Sequence, residues 1–130
     1  MELRVRFPVD DQVLSVLHSL AFDAPGEVQP WSARLERHAL TWVGAFDNDE
    51  LIGFVQVCWD GGAHAFVLDT AVHPDHGRKG IGSQLVARAA DEARAAGCEW
   101  LHVDYEPHLA SFYLESCGFR PTDAGLLKLR

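Results

Sequence analysis

The stretch Val72-His73-Pro74-Asp75-His76-Gly77-Arg78-Lys79-Gly80-Ile81-Gly82-Ser83 (VHPDHGRKGIGS) stands where two sequence periods meet. Before it, His64 to Val72 reads as a long strand. After it, Ile81, Leu85, Val86, Ala89 and Ala93 recur at helical spacing, while Arg88, Asp91, Glu92 and Arg94 face outward. A strand that hands over to a helix through such a loop leaves the first helical N–H groups unpaired, with partial positive charge on them. Gly80 and Gly82 have no Cβ and let backbone approach a pyrophosphate; Arg78 adds a forked donor and Lys79 a point charge. Pattern alone leaves two readings open, a solvated turn or an anion cradle. Two familiar cradles do not fit. The dinucleotide fingerprint needs a third glycine where Leu85 stands, and the nucleotide triphosphatase loop needs a lysine that Gly82-Ser83 lacks.

Working outward, Leu3, Val5 and Phe7 alternate with Glu2, Arg4 and Arg6, which predicts a strand ending at Pro8. Asp10 or Asp11 is placed to cap a helix carrying Val13, Val16, Leu17 and Leu20 on one stripe. Pro30 opens a shorter helix through Leu35 and Ala39. Trp42–Phe46, Leu51–Trp59 and His64–Val72 read as strands joined by turns at Asp47-Asn48-Asp49 and Asp60-Gly61-Gly62. Gly97 ends the long helix, Trp100–Val103 is strand-like, and Pro107 opens a last helix with Leu109, Phe112 and Tyr113 on one face. Phe119 and Leu126–Leu129 predict one or two closing strands. The expected fold class is α/β: a mixed, mostly antiparallel central sheet with helices on both faces.

At 130 residues, 48% hydrophobic and 23% charged, the chain fits one domain, residues 1–130, around a sizeable core. Its 19 acidic against 11 basic residues, net −8, argue against a nucleic-acid partner and favour a cationic small molecule. No apolar run approaches the roughly 18 residues that span a bilayer, so no membrane partner is expected. Met1–Arg6 lacks a secretion signal, and Cys58, Cys98 and Cys117 form an odd, apolar-flanked set without metal-ligand spacing. They read as reduced thiols of a cytoplasmic protein. No metal is expected, since the scattered histidines share no ligand spacing either.

The stretch Val72–Val86 resembles the acetyl-coenzyme A loop of the GCN5-related N-acetyltransferase (GNAT) superfamily, in which a Val-x-Pro strand end leads into a basic, glycine-containing loop and a long helix. Ala110-Ser111-Phe112-Tyr113-Leu114-Glu115-Ser116-Cys117-Gly118-Phe119 is similar to a second signature, Ala-x-x-Phe-Tyr-x-x-x-Gly-Phe. The element order matches as well, so the resemblance covers nearly the whole chain. It departs at Gly77, where the superfamily usually has Gln or Arg, and at Glu106, where it often has Asn.

The resemblance implies transfer of acetyl from acetyl-CoA to a primary amine of a small molecule. It implies that Ala71, Val72, Gly77, Arg78, Lys79, Gly80, Ile81, Gly82, Ser83, Phe112 and Tyr113 hold the cosubstrate, with backbone N–H groups near Ala71 and Val72 polarising the carbonyl. Tyr113 is the expected acid: a phenol is protonated at neutral pH and can give its proton to a leaving thiolate. Asp69, a carboxylate in an otherwise apolar strand, is the candidate base, directly or through a water. With no bulge it shares a face with Ala65, Val67, Ala71 and His73. His102 is a further catalytic candidate, since Asp104 lies on its side of the fifth strand and makes a relay conceivable. Trp31, Asp69, Asp104 and Tyr105 are candidate acceptor contacts, aromatic and acidic groups suited to a cationic amine. Two alternatives stand beside this reading: a protein or peptide N-acetyltransferase, and a noncatalytic module that binds or senses acyl-CoA. Homodimers are a habit of the superfamily, and the resemblance extends that expectation to this chain.

Overall fold

The computed structural model describes residues 1–130: β1 (Glu2–Val5), α1 (Asp11–Phe22), α2 (Trp31–His38), β2 (Ala39–Asp47), β3 (Glu50–Trp59), β4 (His64–Val72), α3 (Ile81–Ala95) and β5 (Trp100–His102). Short helical turns occupy Pro74–His76, Pro107–Leu109 and Ser111–Ser116. The five strands form one sheet in chain order, antiparallel except for the parallel β4–β5 pair. This is the mixed, mostly antiparallel α/β sheet expected from the sequence.

Two apolar clusters cover the two faces. Leu14 and Leu17 of α1 with Trp31 and Leu35 of α2 pack on Trp42, Phe54 and Ala71. On the other face Ile81, Leu85, Ala89 and Ala93 of α3 pack on Val43, Val55, Val57, Ala65 and Val67. The spacing of the α3 residues is what places that helix flat on the sheet.

Four features differ from the expectation. In α1 the buried positions are Leu14, Ser15 and Leu17, whereas Val13, Val16 and Leu20 are about half exposed. The helix is turned by about 100°, one residue's worth, from the predicted stripe. Asp10 caps it, its carboxylate accepting from the N–H groups of Gln12 and Val13.

In β4, Ala71 pairs with Phe54 and Leu68 with Gln56, so Asp69 and Thr70 together oppose Val55 in a bulge. Asp69 takes a left-handed φ of 57° there. The bulge inverts the alternation: Ala65 and Val67 face α3, but Ala71 and the Asp69 carboxylate face α1. Asp69 therefore does not share a face with Ala65 and Val67.

The last helix is a π-turn, with Cys117 N–H donating to Phe112 O five residues back. No strand follows it. Residues 118–130 hold no regular element, and Leu126, Leu127 and Leu129 are 83–86% exposed. Only Phe119 of that segment joins the core, edge-on to Tyr113. The edge that closing strands would extend, β5, is only three residues long.

Candidate active site

β4 and β5 pair through His64–Trp100, Ala65–Leu101 and Phe66–His102 and then part. Beyond them β4 keeps only β3 as a neighbour. His73 N–H donates to Ile52 O on β3 at 2.8 Å, so by strand alternation the Val72 N–H points to the opposite edge, into the gap left by β5. The expected backbone donor near Ala71 and Val72 is thus available where the strands diverge.

The loop below that gap is open to an anion. Gly80, the N-cap of α3, has φ 76° and offers no capping side chain. The amides of Arg78 through Ser83 donate to no group in the protein, the first intrahelical bond being Gln84 N–H to Gly80 O at 3.2 Å. The contrast with the carboxylate-closed N-terminus of α1 is chemical: one end is neutralised by a side chain of the protein and the other meets no internal acceptor. Arg78, itself at φ 64°, and Lys79 make no ion pair and stand exposed at the rim. A Cβ at Gly82 would lie 3.1 Å from the Phe112 ring, so the π-turn packs directly on the opening of α3. A Cβ at Gly77 would meet only Pro74 O, at 3.5 Å, so this departure from the superfamily pattern is not enforced by crowding. Open amides, free cations and a gap with an unused N–H fit a phosphate-bearing thioester.

Tyr113 is 7% exposed, stacked on Tyr105 at 5.4 Å and edge-on to Phe112 at 4.8 Å. Burial pushes its pKa above the usual phenol value, and the Asp104 carboxylate adds to the rise. The Thr70 hydroxyl lies near enough to the phenol to oppose that rise, yet the pair falls short of hydrogen-bond geometry, leaving Thr70 Oγ1 buried without a partner. Tyr113, Phe112, Tyr105 and Asp104 thus gather beside the second bulge residue.

The first bulge residue serves the opposite face. Asp69 Oδ1 accepts from His18 Nε2 of α1 at 3.0 Å, and Oδ2 accepts from Gln56 Nε2 of β3 at 2.6 Å. The His18 ring lies 4.5 Å from Phe22 and 5.1 Å from Trp31, whose own Nε1 is buried without a partner. Asp69 and Trp31 therefore come together through His18, a residue that sequence reasoning missed. With α1 read as buried along Val13, Val16 and Leu20, His18 falls on the solvent side. The observed Leu14–Leu17–Ala21 stripe carries it toward the sheet.

His102 is placed elsewhere. Its Nε2 is 2.8 Å from His64 Nδ1 and its ring stacks on Phe66 at 4.6 Å, with no bond to Asp104. Phe66 lies four residues before Thr70, about 13 Å along the strand. Glu106 is exposed and makes no side-chain bond.

The model of the acetyltransferase (GNAT) family matches residues 11–119. The chain belongs to the GNAT family. An uncharacterized N-acetyltransferase of Pyropia yezoensis is 30% identical over 66 residues, 51% of this chain and 38% of that protein. This GNAT chain spans well under half the length of the curated relatives it matches. Among solved structures, a GNAT family acetyltransferase of Streptococcus pneumoniae superposes with a TM-score of 0.77 at 22% identity, covering 99% of this chain and 98% of that one. An aminoglycoside N-acetyltransferase in complex with CoA gives 0.78 at 17% identity, covering 99% and 93%. Both share the GNAT fold with this chain. No helix is long and apolar enough to cross a membrane.

Proposed function

We propose that this GNAT chain transfers the acetyl group of acetyl-CoA to a primary amine of a small molecule. The observation that carries the reading is the junction of six unbonded amides, Arg78–Ser83, with a buried, protonated Tyr113 across the Gly82–Phe112 contact. The amides, with Arg78 and Lys79, would hold the pyrophosphate. Acetyl-CoA supplies a thioester carbonyl open to attack by a neutral amine. The Val72 N–H, which β3 does not use, would donate to the carbonyl oxygen as it gains charge. Tyr113, kept protonated by burial, gives its proton to the leaving thiolate. Asp69 anchors the path by which the amine loses its proton. The acidic excess of the chain favours cationic acceptors. The three cysteines are unpaired, which agrees with the reducing cytoplasm as the protein's location.

Coenzyme A release from acetyl-CoA, measured with 2-phenylethylamine, spermidine, glucosamine and a lysine-containing peptide beside calorimetric acetyl-CoA binding, tests the proposal. Turnover on at least one of the small amines is expected. Turnover on the peptide alone transfers the function to protein acceptors, and tight binding without turnover on any acceptor makes the chain a binding module.

A further inference from the structure

The bulge leaves Asp69 with both oxygens engaged, one by His18 and one by Gln56. A carboxylate so occupied is poorly placed to take a proton itself and well placed to orient the imidazole. Because a carboxylate only accepts, His18 Nε2 carries the hydrogen of that bond, which puts the lone pair of the neutral ring on Nδ1. Nδ1 has no partner in the protein, and the side chains of His18 and Asp69 are each 29% exposed, enough for a small molecule to reach them. Phe22 and Trp31 fix the ring plane.

Thr70, the next residue after Asp69, neighbours Tyr113. The His18–Asp69 pair and the Tyr113 phenol are therefore met by successive residues of one bulge, Asp69 and Thr70, oriented toward different faces of the sheet.

We infer that His18 is the general base of the reaction, with Asp69 and Gln56 as its positioning residues, and that the acceptor amine enters between α1 and the bulge, against Trp31 and Phe22. The inference rests on the transfer reaction proposed above. In the step it describes, the amine nitrogen forms its bond to the acetyl carbon and one N–H proton passes to His18 Nδ1. The C–S bond breaks with its electron pair on sulfur, and the thiolate takes the Tyr113 proton. Solvent then deprotonates the imidazolium and reprotonates the phenolate. The charged or titratable groups around His18 are Asp69 on β4, Cys58 on β3, which is linked to Asp69 through Gln56, and Arg34 on α2, stacked over Trp31 at 5.1 Å.

The test compares the native protein with His18→Gln and Asp69→Asn, using acetyl-CoA and whichever of the four panel acceptors is turned over. His18→Gln is expected to lower kcat/KM about 10²- to 10⁴-fold, to lose the ascending pH limb that His18 supplies, to keep acetyl-CoA affinity, and to regain activity partly with added imidazole. Asp69→Asn is expected to lower kcat and keep acetyl-CoA affinity, because an amide can bond either tautomer of the ring and no longer confines the lone pair to Nδ1. The same change is expected in the His18 tautomer followed by nitrogen nuclear magnetic resonance, with the ring hydrogen on Nε2 in the native protein and no longer confined there in Asp69→Asn; this reading needs no turnover and covers the case in which His18→Gln does not fold. A His18→Gln enzyme with the native pH profile, or a native neutral ring that carries its hydrogen on Nδ1, overturns the assignment while leaving the transfer reaction standing. Absence of turnover by the native protein overturns the transfer reaction first and the base with it.

Discussion

Thr70→Val isolates the one buried hydroxyl that the bulge brings to Tyr113. Thr70 Oγ1 is buried and without a hydrogen-bond partner, and an unsatisfied buried polar group of this kind costs about 1–3 kcal/mol. Valine has nearly the same shape and is equally compatible with an extended strand. The nearby phenol offsets part of the cost, so the gain on substitution belongs in the lower half of that range, about 1–2 kcal/mol. For a chain of this length that corresponds to a rise in Tm of about 4–8 °C. Activity moves the other way. The hydroxyl opposes the rise in the Tyr113 pKa, and its removal makes the phenol a weaker acid. A full neutral hydrogen bond is worth about 0.5–1.5 kcal/mol and this contact falls short of one, so the low end applies and kcat is expected to fall by about 2-fold with little change in acetyl-CoA affinity. Thermal unfolding read by circular dichroism gives the first number and coenzyme A release the second. A variant that melts below the native protein, or one that gains stability and loses no kcat, refutes the reasoning.

Four other outcomes are expected. Gly82→Val drives a branched side chain into the Phe112 ring, which would lie only 3.1 Å from the first added carbon; overpacking of about 1–3 kcal/mol predicts acetyl-CoA affinity about 5- to 160-fold weaker, by calorimetry. Tyr113→Phe lowers kcat by about 10²- to 10⁴-fold while leaving affinity intact, and unchanged turnover would remove the acid role. The Tyr113 phenol also links stability to alkaline pH. Its folded pKa is raised, so its contribution is complete below the unfolded value near 10 and is lost as pH climbs through the folded one; the Tyr113→Phe variant should lack that loss in alkaline melts. Asp60 has the opposite sign: backbone bonds from Gly62 at 2.7 Å and His64 at 3.2 Å depress its pKa. Asp60→Ala should therefore lower Tm at pH 7, and the difference should vanish in melts carried below the folded pKa of Asp60.

What the sequence made legible was periodic or chemically marked. The strand His64–Val72 and the start of the long helix at Ile81 follow from a change of period at Pro74, and both stand as expected. The glycine loop and Tyr113 carry motifs. The missed features depend on contacts between distant residues. Nothing in Leu68-Asp69-Thr70 announces a bulge; it arises where β4 must pair with β3 yet send Asp69 toward α1. The rotation of α1 is set by where Leu14 and Leu17 find room beside Trp31 and Phe54, since leucines occur on both stripes. His18 was invisible for the same reason. The closing strands failed because an alternating apolar pattern states a capacity to pair, and β5 presents only three residues of edge to pair with.

The brevity of β5 also bears on the order in which the chain assembles and loosens. β2, β3 and β4 are joined by turns of a few residues, so their contacts are local and close quickly. β5 reaches β4 only across the whole of α3 and secures itself with three residue pairs. Its amides belong among the first to exchange with deuterium, together with the Tyr105–Tyr113 segment that follows it. The half of the candidate site that carries the acid is thereby expected to lose its exchange protection ahead of the His18–Asp69 half, and equal protection in the two would refute that order.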